Sequence, residues 1–232
     1  MLNYYELMKL IKGSLDVNQM QTIRESFNAD FIKEYNKIHF NKTSRKNALD
    51  SFIKNNERIF ADKEHSYLWA TQTSVIYSNS FDLSDDDTNG LETDVFKIIE
   101  SWIKGKNQKP TDFHFRESVA VARALGWTQN AAKEGNKAYH VLIDDNYYDF
   151  SLVYGLCMLF ADKDIKSGGV NVYTVKMEGT QRRALVVKSR YGMGFLLPVN
   201  SVLNPCYNVC FNNYMEHEKS LDDIIMKDVS VA

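Results

Sequence analysis

The sequence predicts an α+β protein, on three observations. Apolar residues recur at three-and-four spacing through the first third, the period of an amphipathic helix. The stretch Tyr67 to Tyr77 is dense instead in aromatic and β-branched residues, which favour strands. Three further strand-like runs, Val170 to Met177, Arg183 to Ser189 and Gly194 to Val199, are set apart by glycine-bearing turns. At 232 residues, 44% hydrophobic and 25% charged, the chain can bury a sizeable core, which excludes a disordered protein.

The helical lead-in places Tyr5, Leu7, Met8, Leu10 and Ile11, then Met20, Ile23, Phe27, Phe31 and Ile32, on apolar faces. A third helix fits Ser44 to Asn55, with Ser44 as its cap and Leu49, Phe52 and Ile53 on one side. Tyr67 to Tyr77 reads as a strand pair turning near Gln72-Thr73. The acidic stretch Phe81 to Gly90 is a loop. The helix Thr93 to Lys104 follows, with apolar face Val95, Ile98, Ile99 and Trp102. Lys106 to Pro110 is a polar run ending in proline and marks a domain boundary. Beyond it come a strand Phe113 to Phe115, a helix Glu117 to Gly126, a strand Ala138 to Ile143, a helix Phe150 to Phe160 and the three closing strands. Asn200 onward is an appendix, with a helix around Leu221 to Met226. The recurrence of helix followed by strands suggests an internally duplicated α+β unit.

With 28 Lys and Arg against 30 Asp and Glu, net charge −2, there is no bulk basic field, so any nucleic-acid contact needs a segregated basic surface. Three cysteines and no secretory signal pattern point to a reducing, cytoplasmic location. The apolar runs fall short of the roughly 20 residues that span a bilayer. Asn41-Lys42-Thr43 has the form of a glycosylation acceptor, without the export that would use it.

Chemistry-bearing patterns are few. Asp85, Asp87, Asn89 and Gly90 open like a calcium loop, but Phe96 stands where the closing bidentate Glu belongs, so a solvated acidic loop is expected. His140 and Asp144 sketch a metal pair on one strand face, without a third ligand at matching spacing. His114 sits in an aromatic run. Cys206 and Cys210 lack a second pair for zinc, and Cys157 is a core residue of an apolar helix. No nucleophile elbow or phosphate loop occurs. The expectation is a protein without enzymatic activity, cofactor or structural metal.

The basic residues are more informative. Lys97 and Lys104 lie seven apart on one helix, Arg116 and Arg123 seven apart on the next, and Lys46 and Lys54 repeat the theme earlier. Each pair occupies nearly one face. Solvated helix surfaces account for such residues singly, while their repetition points to a positive stripe for a phosphate backbone.

About residues 111 to 200 resemble the repeating domain of DNA sliding clamps. Phe113-His114-Phe115-Arg116 with Glu117 to Leu125 is similar to a first strand and channel-facing helix. His140-Val141-Leu142-Ile143, Tyr147, Tyr148 and Phe150 to Phe160 resemble the next strand and second helix, and Val170 to Tyr173, Ala184 to Lys188 and Gly194 to Val199 the closing strands. Asn47 to Asn55, Tyr67 to Tyr77 and Thr93 to Lys104 match more loosely. The sequence style is nearest to clamp-like proteins of bacterial phages. The helical lead-in has no clamp counterpart, and Phe150 to Phe160 carries no basic residue.

The resemblance implies two clamp-like domains of antiparallel sheet with paired helices, at 43–109 and 110–200, between a helical N-terminal segment, 1–42, and an appendix, 201–232. It implies a processivity factor that tethers a DNA polymerase or another replication protein to duplex DNA through Lys46, Lys54, Lys97, Lys104, Arg116 and Arg123. Such a clamp would close as a ring-shaped homotrimer. The alternatives are a clamp-fold interaction module that does not encircle DNA, and a metal enzyme at His140 and Asp144.

Overall fold

The computed structural model describes residues 29–54, 58–62, 66–70, 73–77, 97–98, 100–102, 105, 107–124, 127, 140–162 and 169–199. In chain order these form α1 (29–37), α2 (Lys42–Lys54), β1 (Phe60–Asp62), β2 (Tyr67–Trp69), β3 (Thr73–Tyr77), α3 (97–98 and 100–102), β4 (Gln108–Pro110), α4 (Phe115–Ala124), β5 (His140–Ile143), β6 (Asn146–Asp149), α5 (Phe150–Phe160), β7 (Asn171–Lys176), β8 (Arg183–Ser189) and β9 (Gly192–Leu196). The mixed helix and antiparallel sheet is the α+β class that the sequence predicts. The chain divides into two units, 1–38 with 116–142 and 201–232, and 39–115 with 143–200.

The second unit holds a seven-stranded sheet in the order β1-β2-β3-β9-β8-β7-β4, antiparallel at every pairing. Its centre is β3 against β9, with Val75 opposite Gly194. On either side of that line lies a three-strand meander, β1-β2-β3 and β7-β8-β9, and each meander is preceded by one helix, α2 or α5. The sheet therefore has a local two-fold arrangement about the β3-β9 junction. The order of one helix followed by three strands occurs twice, and both meanders share one sheet. Residues expected in separate domains, 43–109 and 110–200, meet there because β3 and β9 each end a meander with unpaired backbone groups, and pairing them satisfies both.

Both sheet faces are covered. Along β8, Ala184, Leu185, Val186 and Val187 are all buried, whereas a sheet with one wet face would alternate. One face gathers Tyr67, Val175, Ala184, Val186 and Phe195, with Phe60, Trp69, Trp102, Tyr173, Met177 and Met193 packed around them. Trp102 of α3 meets Phe195 edge-on, ring centroids 5.6 Å apart. On the opposite face α5 packs over β3, β8 and β9, and α2 packs against α5. Seven residues of α5, Phe150, Val153 and Leu156 to Phe160, are buried, as expected of a helix apolar nearly all round. Each such Leu or Phe contributes about 1.5–3 kcal/mol by leaving water.

Local chemistry sets the boundaries. The Asp149 carboxylate accepts a hydrogen bond from the Leu152 amide at 3.0 Å and starts α5 at the residue the sequence predicts. At α2 the cap is Asn41 rather than Ser44. Asn41 Oδ1 accepts from the Ser44 amide at 2.9 Å, which moves the helix start two residues earlier. Phe113 to Phe115 is not a strand, since 111–114 are irregular and Phe115 opens α4. The run 106–110, expected as a domain boundary, ends in β4, whose Lys109 pairs with Thr174 of β7. β1 and β6 have no counterpart in the sequence reading. Ile98, assigned to an apolar face, is exposed, while its helix-mate Trp102 faces the sheet.

In the first unit, Tyr35 of α1 receives Arg116 of α4, whose guanidinium lies 3.9 Å from the ring centroid and donates to the Tyr35 carbonyl at 3.1 and 3.3 Å. Val119 to Ala122 are fully buried on α4, and the Trp127 amide donates to the Ala122 carbonyl at 2.8 Å. The helices expected before residue 29 and at 221–226 lie outside the described residues.

Candidate nucleic-acid interface

Helix α2 builds the clearest basic surface of the second unit. Lys42, Lys46, Asp50 and Lys54 are all exposed, and their step of four aligns them in one stripe along the helix. Leu49, Phe52 and Ile53 are half-buried, as the helical period requires. The stripe runs the thirteen residues of the helix, about 18 Å from Lys42 to Lys54, and is positive apart from Asp50.

Arg45, between the first two lysines, does different work. Its Nη1 donates to the Ala161 carbonyl at 3.3 Å, at the end of α5, and its guanidinium lies 3.7 Å from the centre of the Tyr191 ring. Arg190 beside Tyr191 forms an ion pair with Asp162, Nε to Oδ2 at 2.7 Å, and that carboxylate is only 4% exposed. These two arginines fasten α2, the end of α5 and the β8-β9 turn together, leaving the lysines to face solvent.

The six residues singled out in the sequence are therefore placed unequally. Lys46 and Lys54 belong to the α2 stripe, which Lys42 extends; the step of four from 42 to 46 was visible in the sequence and was missed. Lys97 is exposed on α3. Lys104 lies outside the described residues. Arg116 is half-buried and engaged with Tyr35, and Arg123 is half-buried in the last turn of α4, where a cation suits the helix dipole. The outward positions of α5 are Ser151, Leu152, Tyr154 and Gly155, all half-buried and uncharged. The two helices that precede the meanders thus present different chemistry.

A second polar cluster lies at the β4 side of the sheet. Asp144 and Asp145 form the β5-β6 turn with φ of 47° and 60°, the left-handed values a two-residue hairpin turn demands and that Asp tolerates. Asp144 receives the Lys109 ammonium at 3.0 Å and the Thr174 hydroxyl, at 2.5 Å, with Arg183 Nε 3.9 Å away. Arg183 in turn donates to Thr174 Oγ1 at 2.8 Å, and its backbone joins the Asn146 amide oxygen and the Tyr148 hydroxyl. Burial pushes the Asp144 carboxyl upward, but the Thr174 and Lys109 hydrogen bonds and the two cations outweigh it and hold it below the ordinary aspartate value.

Asp144 is thus a turn residue paired with cations, not a neighbour of His140 on a strand face. Among the described residues no group of three or more His, Cys, Asp or Glu is arranged to hold a metal ion. Burial raises the Cys157 thiol far above its usual range, which leaves it a packing residue. His114 is exposed in the segment before α4. The calcium-like run at 85–90 and Cys206 and Cys210 fall outside the described residues. Among the described residues no helix is long and apolar enough to cross a membrane. No family model, curated protein or solved structure matches the chain.

Proposed function

We propose that this protein is a non-catalytic, sliding-clamp-like tether that holds a replication protein on duplex DNA, meeting the phosphate backbone through α2. The observation that carries the reading is the exposed row Lys42, Lys46 and Lys54 on a helix held rigidly by Arg45 and by packing against α5. Lysines at the surface of a fixed helix meet phosphates as point charges and read no bases, so contact is independent of sequence. The doubled helix-and-meander sheet supports the reading, because the clamp resemblance rests on just such an alternation of helix and strands.

The test is a salt series with a linear duplex. Each phosphate neutralised contributes about −0.9 to the slope of log affinity against log salt, so two or three lysine contacts give a slope of about −2 to −3. The double variant K46E/K54E should flatten that slope by about two, with stability changed by less than about 0.5 kcal/mol. Wild-type protein that shows no salt-dependent retention of duplex at low ionic strength would leave the second reading, a clamp-fold module that binds a protein partner without DNA. The uncharged outer side of α5 is the observation that favours that second reading.

A further inference from the structure

Helix α2 holds one acidic residue, Asp50, against the four cations Lys42, Arg45, Lys46 and Lys54. The helical period defines its place. At about 100° per residue, the exposed residues of α2 cover an arc of about 180°, from Lys42 round to Ser51, and Asp50 falls near the middle of it. Arg45, Leu49 and Phe52 are half-buried on the other side. Lys46 and Lys54 stand one turn before and one turn after Asp50, each about 6 Å along the axis and about 40° around it. A phosphate backbone that touches both of these lysines therefore passes over Asp50.

Other carboxylates of the same unit are held by cations, Asp144 by Lys109 and Asp162 by Arg190. Among the described residues no ion pair engages Asp50. Its carboxylate faces the same solvent as the lysines, at the centre of the surface they form.

We infer that Asp50 limits the strength of the contact between α2 and duplex DNA, its carboxylate repelling the phosphates that Lys46 and Lys54 attract. The inference rests on the DNA reading of α2 proposed above. Like charges about 7 Å apart repel even at the dielectric constant of water, and salt screens the effect. Side-chain length sets how far the repulsion goes. Aspartate has a single methylene and keeps its carboxylate close to the helix, whereas lysine stems carry their ammonium groups outward. Asp50 therefore weakens the contact without abolishing it. The row 42, 46, 50 and 54 is broken into a pair of lysines and a single one, and α2 grips the duplex reversibly.

The test measures binding of the full chain to a linear duplex by fluorescence anisotropy across a salt series. D50N should bind at least about threefold more tightly than wild type at low salt. D50K should bind more tightly still and steepen the slope of log affinity against log salt by about 0.9, as one further phosphate contact requires. The control is E178Q, which removes the same charge from the exposed β7-β8 turn, at the end of β8 opposite the turn that Arg45 holds. It should bind as wild type does. Urea midpoints close to wild type establish that the variants are folded, and D50S serves as the second neutral variant if D50N is not. If wild type binds and K46E/K54E loses that binding, yet the Asp50 variants bind no better than wild type, the inference is overturned while the DNA reading stands. Equal tightening by D50N and E178Q would also overturn it, because net charge and not position would then be the cause. Duplex binding absent from wild type and from both D50N and D50K would end the DNA reading and the inference with it.

Discussion

Asp144 shows how much one residue organises at the smallest scale. Its carboxylate collects a hydroxyl and a lysine while its own backbone makes the β5-β6 turn. Because its folded value lies below the ordinary aspartate value of about 3.9, the unfolded chain takes up the proton first as pH falls. The stabilisation is therefore complete above about pH 4 and is lost as pH drops through the lower folded value. Urea midpoints at neutral pH and in acid should show wild type losing stability over that window, and D144N should be weaker at neutral pH by about 1–3 kcal/mol with a flatter acid profile. Equal acid profiles for the two proteins would show that the network contributes no net charge stabilisation. Tyr148 offers a neutral comparison: its hydroxyl donates to the Arg183 carbonyl at 2.7 Å, and Y148F should cost about 1 kcal/mol without a pH dependence of its own below neutrality.

At the scale of elements, α2 and α5 each precede one meander of the sheet and are made differently. α5 is fixed by burial, so its length and start follow from an apolar run bounded by Asp149 and Ala161. Asp149→Ala should remove the bond to the Leu152 amide and lower stability by about 1 kcal/mol. α2 has no fully buried residue and relies on Asn41 at its start and Arg45 at its side. Asn41→Ala should likewise cost about 1 kcal/mol, and R45A should loosen the helix from Ala161 and Tyr191. If α2 is the DNA-contacting element, R45A should weaken duplex binding through lost rigidity while the salt slope stays close to wild type, since Arg45 itself is not in the exposed row. Hydrogen exchange along α2 checks this, because R45A should speed exchange of α2 amides and leave α5 unchanged.

For the whole molecule the decisive feature is the junction of β3 and β9. It joins two meanders of three strands into one sheet with both faces covered. Leu196 of β9 is fully buried opposite Thr73 and Leu185. Leu196→Ala should therefore destabilise the halves together, by about 2–5 kcal/mol in a single unfolding transition of that unit. Two transitions by circular dichroism, one for each meander, would contradict the shared sheet.

What the sequence determined by itself was the set of elements whose side chains announce them: α5 to the residue, β8 to the residue, and β5 and β7 within two residues. It also carried the repetition of helix followed by strands, since that is a matter of local period and chain order. The tertiary structure alone decided which strands are neighbours. Hydrogen bonding between β3 and β9 joins residues more than a hundred positions apart, and no local pattern in either strand specifies its partner. β1 and β4 escaped notice because three residues are too few to show a period of two, and β4 becomes a strand only by pairing with β7. The basic residues divided for the same reason. Lys46, Lys54 and Arg116 look alike as helix-face cations in the sequence, and only the packed fold turns Arg116 onto Tyr35 while leaving the α2 lysines in water.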